Sequence, residues 1–600
     1  MNLPDLIAGL TECYLCSLAW IGIAALATYL LWNTVFGEGI PVLTVEVTEA
    51  EAQDVIKGKA YEPNSKAASN KEIPCYDPGN MQLLGHLPAM TASEVRARVE
   101  RARVAAKSWK GSSFKQRKLL LKTILRYIID HQETICRVSA RDSGKPMLDA
   151  AFGEVLVTCE KISWLVKEGE RHLRPEKRSA GSMLFYKSAR VEYHPVGVVG
   201  AIVPWNYPFH NVFNPLTAAV FAGNSIVIKV SEHATWSSLY YGRIISAALE
   251  ATGAPKDLVQ IVTGYAEAGN ALVTSGLGKL IFVGSTGVGR KVMQAAAQTL
   301  TPVVLELGGK DPVIVCDDAD MKQVIPVAMR GAFMSCGQNC AGAERFIVQS
   351  RVYGEFVKQV TEVTQRLRQG HALGGSIVDC GAMCMPGAAE QVHALVTDAV
   401  SKGAKVLAGG KVASGAHGGQ FYAPTVLVDV TLNMRIWSEE VFGPVLVVVK
   451  FETDDEAVEL TNDCPFGLGS NVFCRNRRRA NAIASRLEAG MTAINDFTTY
   501  MCQSLPFGGV KESGFDRFAG VEGLRGLCIP KSVTEDRWPW LMRTDMPPII
   551  QYPVGDGAFS FTCGLVTMFY APSWRGSLRG VATLLSALMT GSKKPAKKQQ

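Results

Sequence analysis

Two cysteines four residues apart, Cys336 and Cys340, lie in "FMSCGQNCAGAERF", a stretch rich in small residues and nearly free of charge. A thiol at an open turn or helix start is a candidate nucleophile, because such a setting favours the thiolate. The spacing also admits a metal clip, a disulfide or two inert core thiols. Glu306 stands 34 residues before Cys340, after the apolar run "PVVL". A carboxyl there is either a paired structural charge or an acid with a raised pKa suited to general-base work. Asn206 lies on the proline-flanked turn "PWNYP". Lys229 and Glu232 follow "SIVI", and Gly264 ends "LVQIVTG". "GSTGVG", the stretch Gly284, Ser285, Thr286, Gly287, Val288 and Gly289, directly precedes a helical pattern. Its glycines and hydroxyls suit a pyrophosphate at a helix N-terminus, but the spacing is G-x-x-G-x-G and a plain helix-entry turn fits equally well. Glu232 suits ribose hydroxyls, and equally a solvated acid ahead of a helix.

The elements around these residues alternate. "GAIVPW" predicts a strand, "FNPLTAAVFAGN" a helix closed by Gly223, "SIVIKV" a strand and "TWSSLYYGRIISAALEATG" an amphipathic helix. The pattern continues through "LVQIVTG", "LIFVGST" and "PVVLELGG". Apolar strands separated by helices predict βαβ units and a parallel sheet, whose ligands bind at the carboxyl ends of the strands. The candidate residues fall at those ends.

Six hundred residues suggest two or three globular units. Hydrophobic residues at 47% and charged residues at 20% exclude wholesale disorder. Part of the net charge of +7 sits in "GSKKPAKKQQ", so the body is near neutral and no nucleic-acid partner is expected. Fifteen irregularly spaced cysteines show no zinc-type pattern, so no metal is expected and the thiols read as reduced. Residues 14–32, "YLCSLAWIGIAALATYLLW", carry no charge and match a membrane-spanning helix, with a cleaved signal peptide as the alternative. The apolar runs "FSFTCGLVTMFY" and "GVATLLSALM" are too short to span singly, and fit docking on the body or a membrane interface. Lys597 and Lys598 resemble a dilysine retrieval signal of the endoplasmic reticulum, or a solvated basic tail.

"PWNYP", "KVSE", "GSTGVG", "LELGGKDP", "GQNCAGAER", "EEVFGPV" and "PFGGVKESGFDR" occur in the order of the aldehyde dehydrogenase superfamily, and the resemblance covers about residues 75–530. The N-terminal segment and the C-terminal extension look most like the plant family twenty-two, membrane-associated branch. The resemblance implies an α/β fold with a Rossmann-type parallel-sheet cofactor domain (75–176 and 197–307), an α/β catalytic domain (308–509) and a small oligomerising β-element (177–196 and 510–530). An anchor at 1–36, a linker at 37–74 and an apolar extension with a basic tail at 531–600 complete the expected layout. Asp311 and Asp516 depart from the family pattern, which has a small polar residue and a glycine there.

The same resemblance implies that Cys340 attacks an aldehyde, that Asn206 holds the oxyanion and that Glu306 activates the hydrolytic water. It places Trp205, Lys229, Glu232, Gly264 and the Gly284–Gly289 stretch at the cofactor, with Glu440 and Phe442 at the nicotinamide end. An acid at position 232 repels a 2′-phosphate, which favours NAD over NADP. Tyr207, Phe209, His210, Phe213, Phe497 and Phe507 are expected near the entrance tunnel, suggesting medium- or long-chain aldehydes. The expected assembly is a homodimer or homotetramer, held at a membrane by the N-terminal helix. The expected location is the endoplasmic reticulum with a cytosolic body, or the secretory pathway if a signal peptide is cleaved. A catalytically silent binding protein and a coenzyme-A-acylating dehydrogenase are the competing functions; the intact cysteine, amide and acid weigh against the first, and Glu306, the base that hydrolysis needs, against the second.

Overall fold

The computed structural model describes residues 39–56, 58–61, 71–414, 418–497 and 499–591. The expected span at 14–32 and the terminal dilysine lie outside them. Among the described residues, no helix is long and apolar enough to cross a membrane.

The apolar runs pair into two mainly parallel sheets within one unit, which takes in the described residues through His172 together with Pro195–Cys528. In the first sheet, β1 (Val198–Ile202), β2 (Ser225–Lys229), β3 (Val259–Val262), β4 (Lys279–Val283) and β5 (Val303–Glu306) lie in the order β5-β4-β1-β2-β3, all parallel. The chain steps outward from β1 to β3 and then returns to the other side for β4, so the order switches between β1 and β4. A crevice opens at the carboxyl ends there. The second sheet comprises β6 (Asp311–Val315), β7 (Ala343–Gln349), β8 (Lys405–Ala408), β9 (Thr425–Val428), β10 (Val445–Phe451), β11 (Gly469–Phe473) and β12 (Met491–Ile494). Its order is β8-β9-β10-β7-β6-β11-β12, with β8 alone antiparallel to its neighbour. Every residue of β2, β6, β7 and β11 is buried, the state of strands covered on both faces, and each carries an apolar stretch with its polar residues toward the ends or paired inside.

Helix ends follow the local chemistry. The helix α1 (Pro208–Ala222) opens with proline at its first position and closes on Gly223 at φ 94°, a left-handed residue that costs glycine little. The helix α2 (Thr286–Ala296) starts directly after Ser285. The helix α3 (Met321–Phe333) is capped by Asp320, whose side chain accepts from the Lys322 N–H.

The second unit holds Leu173–His194 and the described residues from Ile529 onward. Its sheet places Lys187–Pro195 between Glu176–Arg178 and Cys528–Asp536. The third strand is therefore Cys528–Asp536 and not the expected 510–530. Positive φ at Lys511 (56°), Gly514 (96°) and Asp516 (66°) breaks any long extended run there. That segment instead forms Val510–Lys511, which pairs with Phe466–Gly467, and β13 (Gly514–Phe515), which pairs with β5. The left-handed backbone at Asp516 is one that aspartate tolerates better than most residues. The apolar extension folds as two helices, α4 (Ala558–Tyr570) and α5 (Trp574–Gly591), packed as a hairpin around Phe561, Leu584 and Ala587.

Candidate active site

Cys340 follows a strained turn. After α3, Ser335 (φ 53°), Cys336 (φ 59°) and Gly337 (φ 70°) are all left-handed, an arrangement that persists only under strong tethering. The Ser335 N–H donates to buried Asp149 (2.8 Å), which also pairs with Arg330 (2.8 Å). Gln338 donates to the Ser335 and Ala382 carbonyls (3.0 and 3.1 Å) and accepts from the Cys384 N–H (2.9 Å). A Cβ on Gly337 would sit 2.1 Å from the Gly443 carbonyl oxygen, so only glycine fits. Cys336 points into the core, 3.5 Å from the Cys380 sulfur and 3.7 Å from the Met383 sulfur. Cys340, partly exposed, lines a pocket with Glu306 and Asn206.

Glu306, the last residue of β5, is 1% exposed. Burial raises its pKa to about 8, partly countered by the neighbouring Cys340 thiol. Its Oε1 has no hydrogen-bond partner. Burial and the nearby Glu306 carboxyl push the Cys340 thiol well above its ordinary range. The two groups are adjacent, and with both pKa values raised the resting site holds both mainly protonated near neutral pH. Asn206 Nδ2 donates to the Gln338 carbonyl (3.2 Å), and Asn206 Oδ1 accepts from Asn211 (3.3 Å). An amide has two N–H groups, which leaves one for the pocket.

Two buried ion pairs that sequence reasoning missed hold the surrounding loops. Lys145 donates to Glu154 and to the Asn206 carbonyl (both 2.5 Å) and stacks over the Tyr207 ring. Glu154 also accepts from the Phe209 and His210 N–H groups (2.8 Å each), where its charge meets the positive end of α1. It projects from a π-helical turn, Ala151–Leu156. Its visible signal is an acid within the mainly apolar "AAFGEVLV". Lys310 pairs with Glu344 (2.7 Å), whose carboxylate accepts from the N–H groups of Val441 (2.9 Å) and Phe442 (2.9 Å). Glu440 accepts from the Gly309 N–H (2.9 Å), and burial raises its pKa to about 8.

A cleft opens at the carboxyl ends of β1, β2 and β4. Of the residues expected at a cofactor, Trp205, Lys229, Glu232, Gly284, Ser285 and Val288 line it; Tyr265, Asn270 and Lys291 line it too and were not foreseen. Lys229 and Glu232 are 3.1 Å apart, and the neighbouring lysine holds the Glu232 pKa low against the effect of burial. Gly264, Thr286, Gly287 and Gly289 do not line the cleft. Gly264 is a left-handed turn residue (φ 144°) against Ala268. Because α2 begins at Thr286, the other three lie within the helix. Thr286 donates to the Glu512 carbonyl (3.1 Å), Gly287 faces open space, and Gly289 lets Leu307 approach. Glu440 and Phe442 also lie outside the cleft lining; Phe442 meets Trp205 edge-on at 5.6 Å. The residue types suit a dinucleotide: a glycine and a helix N-terminus for phosphates, and a carboxylate for ribose hydroxyls. Val203 and Val283 line both cleft and pocket, so the two meet there.

Of the residues expected in the entrance tunnel, Tyr207, His210 and Phe507 line the pocket. Phe209 and Phe213 are wholly buried on the opposite side of α1, where Phe209 meets Tyr241 at 5.1 Å. Phe497 packs into the core of the second sheet against Gly331. Their helical offset explains this: positions 210, 211 and 214 share one face of α1, and 209 and 213 share another. His210 is neutral, with burial lowering its pKa to about 3, and its Nδ1 lies 2.9 Å from Thr158 Oγ1.

Residues 65–533 match the aldehyde dehydrogenase family. An aldehyde dehydrogenase-like protein of Saccharomyces cerevisiae is 43% identical over 502 residues, covering 81% of this chain and 78% of that protein. An NADP-dependent succinate-semialdehyde dehydrogenase of Escherichia coli is 32% identical, covering 79% of this chain and 95% of its own. The crystal structure of a betaine aldehyde dehydrogenase of Staphylococcus aureus in complex with NAD superposes with a TM-score of 0.71 at 28% identity, over 79% of this chain and 96% of that one. With a family match across most of its length, and with a thiol, carboxyl and amide converging beside a nucleotide-type cleft, this chain is a member of the aldehyde dehydrogenase family of enzymes.

Proposed function

We propose that the protein oxidises an aldehyde to its carboxylic acid, with NAD as the hydride acceptor and Cys340 as the nucleophile. The observation that carries this reading is the buried Glu306 carboxyl, pKa about 8, beside the Cys340 thiol in a pocket that also holds the Asn206 amide. The Cys340 sulfur adds to the aldehyde carbon as its proton passes toward Glu306, and the Asn206 amide with the Cys340 backbone N–H holds the oxyanion. NAD, bound in the cleft, supplies the hydride acceptor. Loss of that hydride leaves a thioester on Cys340. Glu306 then takes a proton from water as the water attacks the acyl carbon, and the acid leaves as the thiolate is released. A base placed for hydrolysis distinguishes this from transfer to coenzyme A.

Glu232, at the cleft with Lys229 already paired to it, favours NAD because a 2′-phosphate would meet its carboxylate. Glu306 is the sole carboxyl among the described residues of the pocket lining, which includes no lysine or arginine, and His210 is neutral. No cation there pairs with a carboxylate on the substrate, and Val157, Pro215, Met491, Leu505 and Phe518 offer apolar wall. This favours neutral aldehydes of medium or longer chain. The test is NADH formation across aldehydes of rising length, beside Cys340→Ala, with the product trapped as free acid or thioester. Activity that peaks on charged semialdehydes overturns the substrate class, and activity that survives Cys340→Ala overturns the mechanism.

A further inference from the structure

We propose that the α4–α5 hairpin is a docking element for an anionic lipid surface. Beside the small core of Phe561, Leu584 and Ala587, glycines let the helices approach closely: a Cβ on Gly564 would lie 2.8 Å from the Leu584 side chain, and one on Gly580 would lie 2.2 Å from the Met568 nitrogen. Close approach through small residues is the habit of helices packed in lipid. Many other bulky side chains point outward, with Phe559 81%, Val566 55%, Tyr570 64%, Trp574 69%, Leu578 58% and Leu585 56% exposed. No residue of α4 is charged, so the helix has no face suited to water. At 13 residues it is about 20 Å long, too short to span the ~30 Å of a hydrocarbon core but suited to lying in its interface.

Charge selects the occupant. From Gly557 to Gln600 the sequence contains Arg575, Arg579, Lys593, Lys594, Lys597 and Lys598 and no aspartate or glutamate. An apolar surface carrying only cations is complementary to anionic headgroups, while a second copy of the same hairpin would bring like charges together. Tyr570 and Trp574 flank the turn between the helices, a position suited to the headgroup level.

The test is co-sedimentation of the full chain with vesicles of phosphatidylcholine alone and of phosphatidylcholine mixed with phosphatidylserine. The expected result is a preference for the anionic vesicles that weakens with salt. Arg575→Gln with Arg579→Gln should reduce that preference by about tenfold, and the triple variant F559S/L578S/L585S should abolish it, with NADH formation unchanged. Residues 1–56 contain neither lysine nor arginine, so binding through them gives no such preference. Equal sedimentation with both vesicle types, or an unchanged preference in the triple variant, overturns the proposal. So does a triple variant that splits a larger oligomer without lipid, since the face would then be covered by a second copy.

Discussion

The Glu306 carboxyl yields a pH prediction that separates its role from that of Cys340. Its pKa of about 8 leaves roughly a tenth of the carboxyl ionised at about pH 7 and about nine-tenths at about pH 9. If this group activates the hydrolytic water, the steady-state rate under deacylation-limited conditions climbs about tenfold over that interval and then levels. The assay is rapid-mixing NADH formation with saturating aldehyde, which resolves a burst (acylation) from the steady phase (turnover). Glu306→Gln also removes the acceptor of the Cys340 proton, so it slows the burst without changing its limit of one equivalent per site, and it loses the steady phase. Stability gives an independent reading of the same group. An acid whose folded pKa is raised contributes most to stability below its unfolded pKa, and that contribution is lost as pH rises through the folded pKa. Raising the value from 4.5 to about 8 corresponds to a ceiling of roughly 5 kcal/mol. Glu306→Gln should therefore melt near the wild type at about pH 4 and above it at about pH 9. A steady-state limb well below pH 6, or turnover by the Gln variant at the wild-type rate, would refute the assignment.

Three further outcomes follow from the geometry. Lys145→Met leaves Glu154 buried without its counter-charge, at a cost of about 3–5 kcal/mol in thermal or denaturant unfolding, and lowers kcat because Asn206 loses its backbone tether. Glu232→Ser removes the carboxylate that opposes a 2′-phosphate and raises the kcat/KM ratio of NADP over NAD by about tenfold in paired assays. Gly337→Ala forces a Cβ against the Gly443 carbonyl at a left-handed position, so kcat falls sharply while NAD binding by calorimetry persists.

The alternation of strands and helices was legible because strands buried on both faces are mainly apolar, as the IVI of β2 and the PVIV of β6 are. The helix end at Gly223 was legible because a left-handed residue is cheapest as glycine. Of the "GSTGVG" stretch, Gly284, Ser285 and Val288 line the cleft and Thr286, Gly287 and Gly289 do not, because a glycine's type does not say whether it faces a ligand or a neighbouring side chain. Gly289 proves to serve Leu307. The assignment of Phe209 and Phe213 to the tunnel failed because hydrophobicity alone does not tell which face of α1 turns inward.

Sequence by itself determined which chemical groups are available, a soft nucleophile, an acid and an amide, because those are properties of side-chain types. It also determined the α/β class, because periodicity and burial are coupled along the chain. Only the tertiary structure decided that the thiol and the acid lie together in a buried pocket with raised pKa values. A pKa is set by the dielectric and the charges around a group, and these come from residues as distant in sequence as Glu306 and Cys340. The Lys145–Glu154 and Lys310–Glu344 pairs were likewise decided only there, since a buried charge is tolerable only where folding brings its partner into contact.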